Sequence, residues 1–183
     1  MKKTIINVLA MFIVTGIAIA QQQTAKGTLD KKYWENVTSI ETTINTLYGV
    51  ISGEKGEDRN WELFRYLFHP NAKMVASGKN RVGLIAARFI TDDEYIELSG
   101  QMLVENGFYE EELNRVTEQF GSLAHVLSTY QSFHSKKDIE PFMRGINSIQ
   151  LMFDTERWWI INIYWTQETP SNPIPKKYLP KRS

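Results

Sequence analysis

A histidine in the second half of this 183-residue chain is the strongest candidate for acid–base chemistry. Alternating apolar residues along 108–133 predict a β-hairpin. If its turn pairs Arg115 with His125, these two residues and Glu111 share one face of the sheet. A histidine beside a carboxylate is a common general acid–base pair, because its pKa lies near neutrality. The alternative is a core histidine in a structural hydrogen-bond network, and a one-residue change of register would separate the group.

The run Glu110–Glu111–Glu112 supplies the nearest carboxylates. Such a run is more typical of one carboxylate that faces a pocket or an interface, flanked by solvated ones, than of a metal cluster. We therefore predict His125 as a ligand-contacting residue, with Arg115 or one of these glutamates as its partner; Glu111 and Glu112 enter the predicted site on this basis. The chain has no cysteine and only three histidines, on separate predicted elements, so we predict neither a metal site nor a cofactor.

A second group of polar residues lies in the predicted hairpin 142–168. Arg144, Asn147 and Gln150 interrupt an otherwise apolar strand, where they could orient a ligand carboxylate or carbonyl group. The alternative is that they form hydrogen bonds across strands or across a dimer interface. A two-residue turn at Thr155–Glu156 would pair Gln150 with a residue eleven positions later, Ile161.

Both faces of this second hairpin are substantially apolar. A strand that is buried on both sides requires a second covering layer, and another copy of the chain would supply it. We therefore expect a homodimer that forms through a face of the sheet.

Tyr66 and His69 lie at the end of a short predicted helix. His69 precedes Pro70, and the residue before a proline is pushed out of helical geometry, so this pair is best explained as a helix stop. A position at the mouth of a pocket stays open as the alternative, and both residues are included in the predicted ligand site.

The elements that must position these residues follow from periodicity and end signals. Asp30 can cap the first helix, and Thr91 with Glu94 forms a capping box for the third. The predicted elements are helices over Leu29 or Asp30 to Ser52, Trp61–Phe68 and Thr91–Glu105, a strand or hairpin over 71–88 with a break at 77–80, and long hairpins over 108–133 and 142–168. Helices followed by consecutive hairpins indicate an α+β fold.

This order and several short strings resemble the nuclear-transport-factor-two-like superfamily, which includes ketosteroid isomerase and scytalone dehydratase. The strings are LFHPNAKMV, NGFYEEE, FGSLAHVLSTYQS, RGINSIQL, RWWI and NPIPKKYL. The resemblance covers about residues 33–180 and is strongest to small bacterial members, most of them of unknown function. It implies a cone-shaped, curved antiparallel sheet wrapped around three N-terminal helices, with an apolar pocket inside and often a homodimer through the outer sheet face.

Catalytic members of the superfamily place an aspartate or histidine base deep in the cone with a tyrosine or an acid opposite, and no motif of this chain matches those residues one by one. Two functions are therefore predicted side by side, because the fold does not determine the activity. The first is an exported domain that binds a small apolar molecule. The alternative is an enzyme that performs acid–base isomerisation or dehydration on a small apolar carbonyl compound.

The N-terminus has the three parts of a secretory leader: basic Lys2 and Lys3, an apolar run over 5–19, and the small-residue ending Ala18–Ile19–Ala20. We predict a signal peptide at 1–20, a disordered linker at 21–29 and a single domain at 30–180, in the periplasm or secreted. Without the leader, 19 basic residues face 21 acidic ones, so we expect no nucleic-acid partner, and no membrane partner after cleavage.

Cleavage after Ala20 predicts a mature protein that begins at Gln21. Mass spectrometry of the protein from its host should find this N-terminus, because a signal peptidase reads the small residues at 18 and 20. A mature pool that retains Met1 would contradict the prediction.

Overall fold

The computed structural model describes residues 31–181, and those from Tyr33 onward form one compact unit. The predicted leader, linker and Asp30 cap lie outside the described residues. The helices are α1 (Ile40–Ile51), α2 (Trp61–Leu67) and α3 (Asp92–Asn106), with short 3-10 helices at Lys31–Asn36 and Lys176–Tyr178. The strands are β1 (Phe68–Lys79), β2 (Ile85–Ile90), β3 (Tyr109–Phe120), β4 (Leu123–Phe133), β5 (Met143–Phe153) and β6 (Trp158–Gln167).

The first predicted helix is shorter than expected. The chain forms a 3-10 helix at Lys31–Asn36, breaks, and begins α1 only at Ile40. Ser39 causes the restart, because its side chain accepts a hydrogen bond from the Thr42 backbone while Thr42 bonds back to the backbone of Ser39. The continuous apolar stripe across the break concealed this cap in the sequence.

The other two helices are close to the prediction. Asn60 caps α2, which ends where Phe68 begins β1. The predicted capping box of Thr91 and Glu94 begins α3, and Gly107 follows its end with a φ of 72°. None of the helices within residues 31–181 is long and apolar enough to cross a bilayer.

Six strands form one curved sheet in the order β2-β1-β6-β5-β4-β3. The α+β class and the three helices are confirmed. The expectation of a wholly antiparallel sheet is wrong at one place, because β1 pairs with β6 in parallel. Four strands, β2 to β5, and α3 lie between β1 and β6 in sequence, so the chain returns to β1 from the far edge of the sheet rather than through a tight turn.

Alternation gives the sheet two distinct faces. The inner face packs against α1 and α2 and carries a set of buried residues: Ala124, Val126, Ser128, Tyr130, Ile149, Leu151, Ile160 and Ile163. The outer face carries residues that are exposed or half-buried, among them Leu123, His125, Leu127 and Tyr164. This division decides which side chains can reach the space between sheet and helices.

Candidate functional site

A cavity of about 270 Å³ lies between the inner face of the sheet and the helices. Its walls are mostly apolar and come from all three helices and five of the strands. The apolar residues that line it are Leu47, Ile51, Phe64, Met74, Met102, Leu103, Phe108, Met143, Ile163 and Trp165. The polar residues are Tyr95, Ser99, Glu110, Tyr130, Asn147 and Gln167. An apolar chamber with few polar groups is the usual form of a small-molecule site.

The carboxyl group of Glu110 is the acidic group of this cavity wall. The start of β3 is tied to the end of α1, because Gly53 and Phe108 exchange backbone hydrogen bonds of 2.7 and 3.0 Å and the Glu110 backbone donates to Ser52 Oγ at 3.0 Å. These bonds leave little freedom in where the Glu110 side chain enters the cavity.

Burial raises the pKa of Glu110 from 4.5 to about 7, although two donors favour its charged form. Ser132 Oγ donates to one carboxyl oxygen at 3.2 Å, and Asn147 Nδ2 donates to the other at 3.3 Å. The residue as a whole keeps some accessible surface because it faces the cavity, while no basic side chain compensates its charge. Both forms of this carboxyl are therefore populated near neutral pH.

Two phenols share the cavity with this carboxyl. Tyr95 on α3 and Tyr130 on β4 both line it, and burial, followed by the charge of Glu110, raises the pKa of each phenol. Both hydroxyls are thus protonated donors at neutral pH. Tyr130 lies against Gly145, where an added Cβ would come within 2.5 Å of both the Tyr130 hydroxyl and the Thr166 carbonyl oxygen. A glycine at this position therefore makes room for the phenol.

A chain of hydrogen bonds extends from the cavity wall toward the surface. Tyr48 OH lies 2.6 Å from Ser128 Oγ, and Ser128 in turn donates to Glu112. Arg115 binds both Glu112 oxygens through Nε and Nη2, and its Nη2 also donates to Asn45 at 2.9 Å. This chain holds the charged pair of Glu112 and Arg115 in place and fixes Tyr48 in the core.

The donors in this chain have one consistent direction. Asn147 Nδ2 donates both to Glu110 and, at 3.0 Å, to Tyr48 OH. Because Ser128 gives its only hydrogen to Glu112, Tyr48 must donate to Ser128. An amide that donates on both sides cannot pass a proton along, so Glu110 exchanges protons through the cavity rather than through this chain.

The cavity opens at one end of the sheet. Of its lining residues, Met102 on α3 is 51% exposed, and Gln167 at the end of β6 is also exposed. Leu98, one turn before Met102, is 48% exposed as well. The opening therefore has an apolar edge.

His125 lies on the outer face and does not line the cavity. The predicted pairing of Arg115 with His125 is wrong: His125 pairs with Glu118, and Arg115 pairs with Ser128. The turn lies at Gly121–Ser122, later than expected, and the odd shift places Arg115 on the opposite face from the histidine. His125 Nε2 lies 2.9 Å from Ser148 Oγ, so the structural network considered as an alternative is the geometry observed.

Glu111 and Glu112 lie on opposite faces of β3. Glu111 is exposed on the outer face and accepts a bond from Gln131 at 3.3 Å. Glu112 faces inward but is engaged by Ser128 and by Arg115 at 2.6 Å. The pocket-facing carboxylate expected in this run is Glu110, the member not chosen from the sequence.

The predicted residues of β5 are also divided between the faces. Asn147 is buried and lines the cavity, whereas Gln150 is exposed on the outer face. Arg144 lies on the outer side with its Nε 3.3 Å from Glu168. The predicted pairing of Gln150 with Ile161 is wrong by one position, because a bulge at Ile161 moves Gln150 opposite Asn162.

Tyr66 and His69 lie away from the cavity. The buried Arg157 guanidinium carbon lies 4.1 Å from the centre of the Tyr66 ring and 3.6 Å from the centre of the Trp159 ring. Burial lowers the pKa of Arg157 to about 10, which still leaves it charged at neutral pH. His69 Nδ1 accepts a bond from the Asn71 backbone at 3.1 Å and its ring contacts Trp159. Tyr66, His69 and His125 do not line this cavity, and their binding of a ligand stays a prediction.

Within residues 31–181 no three histidine, aspartate or glutamate side chains come close enough together to hold a metal ion. The chemistry that the cavity can perform comes from one carboxyl and two phenols. Near neutral pH the carboxyl can accept or give a proton, and the phenols can donate hydrogen bonds to an oxygen of a bound molecule.

The sequence contained a signal for the residues that were missed. Ala124, Val126, Ser128 and Tyr130 form a face whose small residues leave room beside one large phenol, and Gly145 opposite Tyr130 strengthens that pattern. Joining this face to Glu110 and Glu112 requires both the turn at Gly121–Ser122 and the bulge between Glu112 and Asn114.

Solved structures of similar architecture are known, although no family model and no curated protein sequence matches the chain. A putative scytalone dehydratase from Novosphingobium aromaticivorans superposes with a TM-score of 0.53 at 16% identity, covering 75% of this chain and 91% of that one. A putative ketosteroid isomerase from Parabacteroides distasonis gives 0.51 at 11% identity, covering 75% and 98%.

An NTF-2-like protein of unknown function from Silicibacter pomeroyi gives a TM-score of 0.50 at 12% identity, covering 70% of this chain and 92% of that one. At such low identity these matches concern the fold alone. They agree with the resemblance found in the sequence.

The raised pKa of Glu110 predicts a pH-dependent effect of Glu110→Gln on stability. Because the folded protein binds this proton more tightly than the unfolded chain, the stabilisation is complete below about pH 4.5 and is lost as the pH rises through about 7. The free energy of unfolding of Glu110→Gln minus that of the wild type should therefore increase by about 3 kcal/mol between about pH 4 and pH 8.

Urea unfolding at a series of pH values measures this difference. Glu111→Gln is the matched control, since its carboxylate is exposed on the outer face of the same strand, and its difference should stay constant. A Glu110→Gln difference that is also flat across this range would contradict the account of a destabilised charge.

Proposed function

Because the chain has the nuclear-transport-factor-two-like cone fold, we propose that it binds a small, mostly apolar molecule inside the cone. The observation that carries this proposal is the cavity of about 270 Å³ with apolar walls and one group of polar side chains at Glu110. An apolar cavity of about 150 Å³ already accepts benzene, so a compound of one or two rings fits here.

The polar groups define which ligand chemistry is favoured. A hydroxyl or carbonyl oxygen could accept from Tyr95 or Tyr130, and a hydroxyl could also donate to the ionised form of Glu110. An anionic ligand is disfavoured, because it would meet the Glu110 charge with no cation in the cavity wall. We also propose that the protein is exported, on the basis of the leader pattern at 1–20.

An enzyme is the second candidate, and the specific observation in its favour is the Glu110 pKa of about 7. A carboxyl with a pKa near the working pH is suited to remove and return a proton. The two phenols could stabilise the negative charge that forms on a carbonyl oxygen when the adjacent carbon loses a proton.

The binding proposal predicts that 2-naphthol binds more tightly than naphthalene, by about three- to tenfold for one hydrogen bond. Trp165 lines the cavity, so quenching of its fluorescence can report binding. Tyr130→Phe should remove much of the preference for the hydroxyl compound, because it removes a hydroxyl without changing the shape of the cavity.

Tyr164→Phe is the matched control, since Tyr164 lies on the outer face at 41% exposure and should leave the preference unchanged. Failure of both compounds to bind would overturn the proposal.

The enzymatic alternative is tested by NMR on the same preparation. The wild type should accelerate the exchange in D₂O of the protons next to the carbonyl of 2-tetralone, and Glu110→Gln should lose this acceleration. Binding without accelerated exchange would show that the protein binds the compound without catalysis.

We further propose a homodimer that forms through the outer face of the sheet. Val116, Leu123 and Tyr164 expose 38%, 61% and 41% of their surface there. The C-terminal segment covers one end of this face, where Thr129 Oγ1 donates to the Tyr178 carbonyl at 2.7 Å, and leaves the other end open. A second copy is an occupant that would bury the open part.

Light scattering should give about twice the monomer mass for the wild type and the monomer mass for Tyr164→Asp, because the substitution places a charge in the middle of the buried face. Leu98→Asp is the control, since Leu98 is similarly exposed on α3 and away from the outer face. A monomeric wild type at micromolar concentration would refute the dimer.

A further inference from the structure

The hairpin of β1 and β2 exposes an unusual concentration of large apolar side chains. Val82, Leu84, Ile85 and Phe89 are 78%, 66%, 71% and 68% exposed, and all lie within eight residues of the chain. Single exposed apolar residues are common on protein surfaces, but a contiguous group indicates an interaction site.

The tip of this hairpin extends beyond the rest of the sheet. β1 pairs with β6 only as far as Ala76, and from Gly78 onward its only strand partner is β2. The tip is nevertheless ordered, because Asn80 Oδ1 accepts from the backbones of Val82 and Leu84 at 3.0 Å each. The apolar side chains are therefore held on a firm projection rather than on a loose loop.

The charges around the tip all have one sign. Lys79, Arg81 and Arg88 flank the apolar residues, and no aspartate or glutamate occurs between Lys73 and Ile90. None of the three cations forms an ion pair with a described residue. The hairpin thus combines apolar side chains that can enter a nonpolar phase with cations that favour an anionic boundary.

We propose that this hairpin docks on an anionic lipid surface, with Val82, Leu84 and Ile85 inserted among the acyl chains and the cations at the headgroups. The surface is distinct from the ligand cavity, so the proposal goes beyond the function proposed above. It also differs from the expectation, drawn from the sequence, of a protein without a membrane partner.

Charge argues against a second copy of the chain as the occupant. A two-fold contact between two such tips would bring six cations together with no acid from either hairpin, and like charges in an interface are costly. An anionic bilayer instead attracts each Lys or Arg near its surface by about 1 kcal/mol.

The hairpin tip lies at the end of the sheet where the cavity opens. β1 and β6 are parallel, so the tip lies at the same end of the sheet as Gln167 and the opening of the cavity. A protein docked by this tip would hold the apolar edge of the opening toward the lipid, from which small apolar molecules partition.

Vesicle co-sedimentation tests the proposal with a matched pair of substitutions. The chain should bind vesicles of equal parts phosphatidylglycerol and phosphatidylcholine. Its binding to vesicles of phosphatidylcholine alone should be at least tenfold weaker. Ile85→Ser should weaken binding to the anionic vesicles about tenfold, whereas Ile139→Ser should not change it: Ile139 is 90% exposed but stands between Asp138 and Glu140. Any binding through a retained leader at 1–20 would be the same in both variants, so it would not affect this comparison.

Arg81→Gln with Arg88→Gln provides a second variant that keeps the apolar tip, and it should remove most of the preference for anionic vesicles. Equal weakening by Ile85→Ser and Ile139→Ser, or no binding of the wild type to anionic vesicles, would overturn the proposal. So would a loss of mass in light scattering for Ile85→Ser without lipid, because the hairpin would then be a contact between copies of the chain.

Discussion

The fold must hold one carboxyl group inside an apolar cavity, and much of the inner architecture serves that requirement. Glu110 lies at the start of β3, where Ser52 and Gly53 fix the backbone. Ser132 and Asn147 donate to its two oxygens. These bonds satisfy the group without neutralising it, and burial therefore keeps its pKa near 7.

A second carboxylate two residues along the same strand has the opposite character. Glu112 is bound by Arg115 and Ser128, so its charge is compensated. The Asn147 amide donates both to Glu110 and to the Tyr48 hydroxyl, which belongs to the hydrogen-bond chain of Glu112, and it therefore separates the two glutamates. Glu112 thus forms a structural ion pair, whereas Glu110 is a group with a shifted pKa that faces the cavity.

The fold could be inferred from the sequence to a large extent, because its signals are local. Alternating residues gave the two long hairpins, and Thr91 with Glu94 gave the start of α3. The parallel pairing of β1 with β6 was missed, since it is a contact between distant segments. The cap at Ser39 was missed because apolar periodicity continues across it.

The site was less predictable, because it depends on register rather than on residue type. The shift of the first hairpin turn separated Arg115 from His125, and a bulge between Glu112 and Asn114 keeps Glu110 on the inner face, where it lines the cavity. Asn147 is the residue of the predicted site that lines the cavity, and its contact with a ligand stays a prediction. The most direct measurement is a ¹³C NMR pH titration of the Glu110 carboxyl, assigned with Glu110→Gln: the account predicts a midpoint near pH 7, and a midpoint near the ordinary value of 4.5 would contradict it.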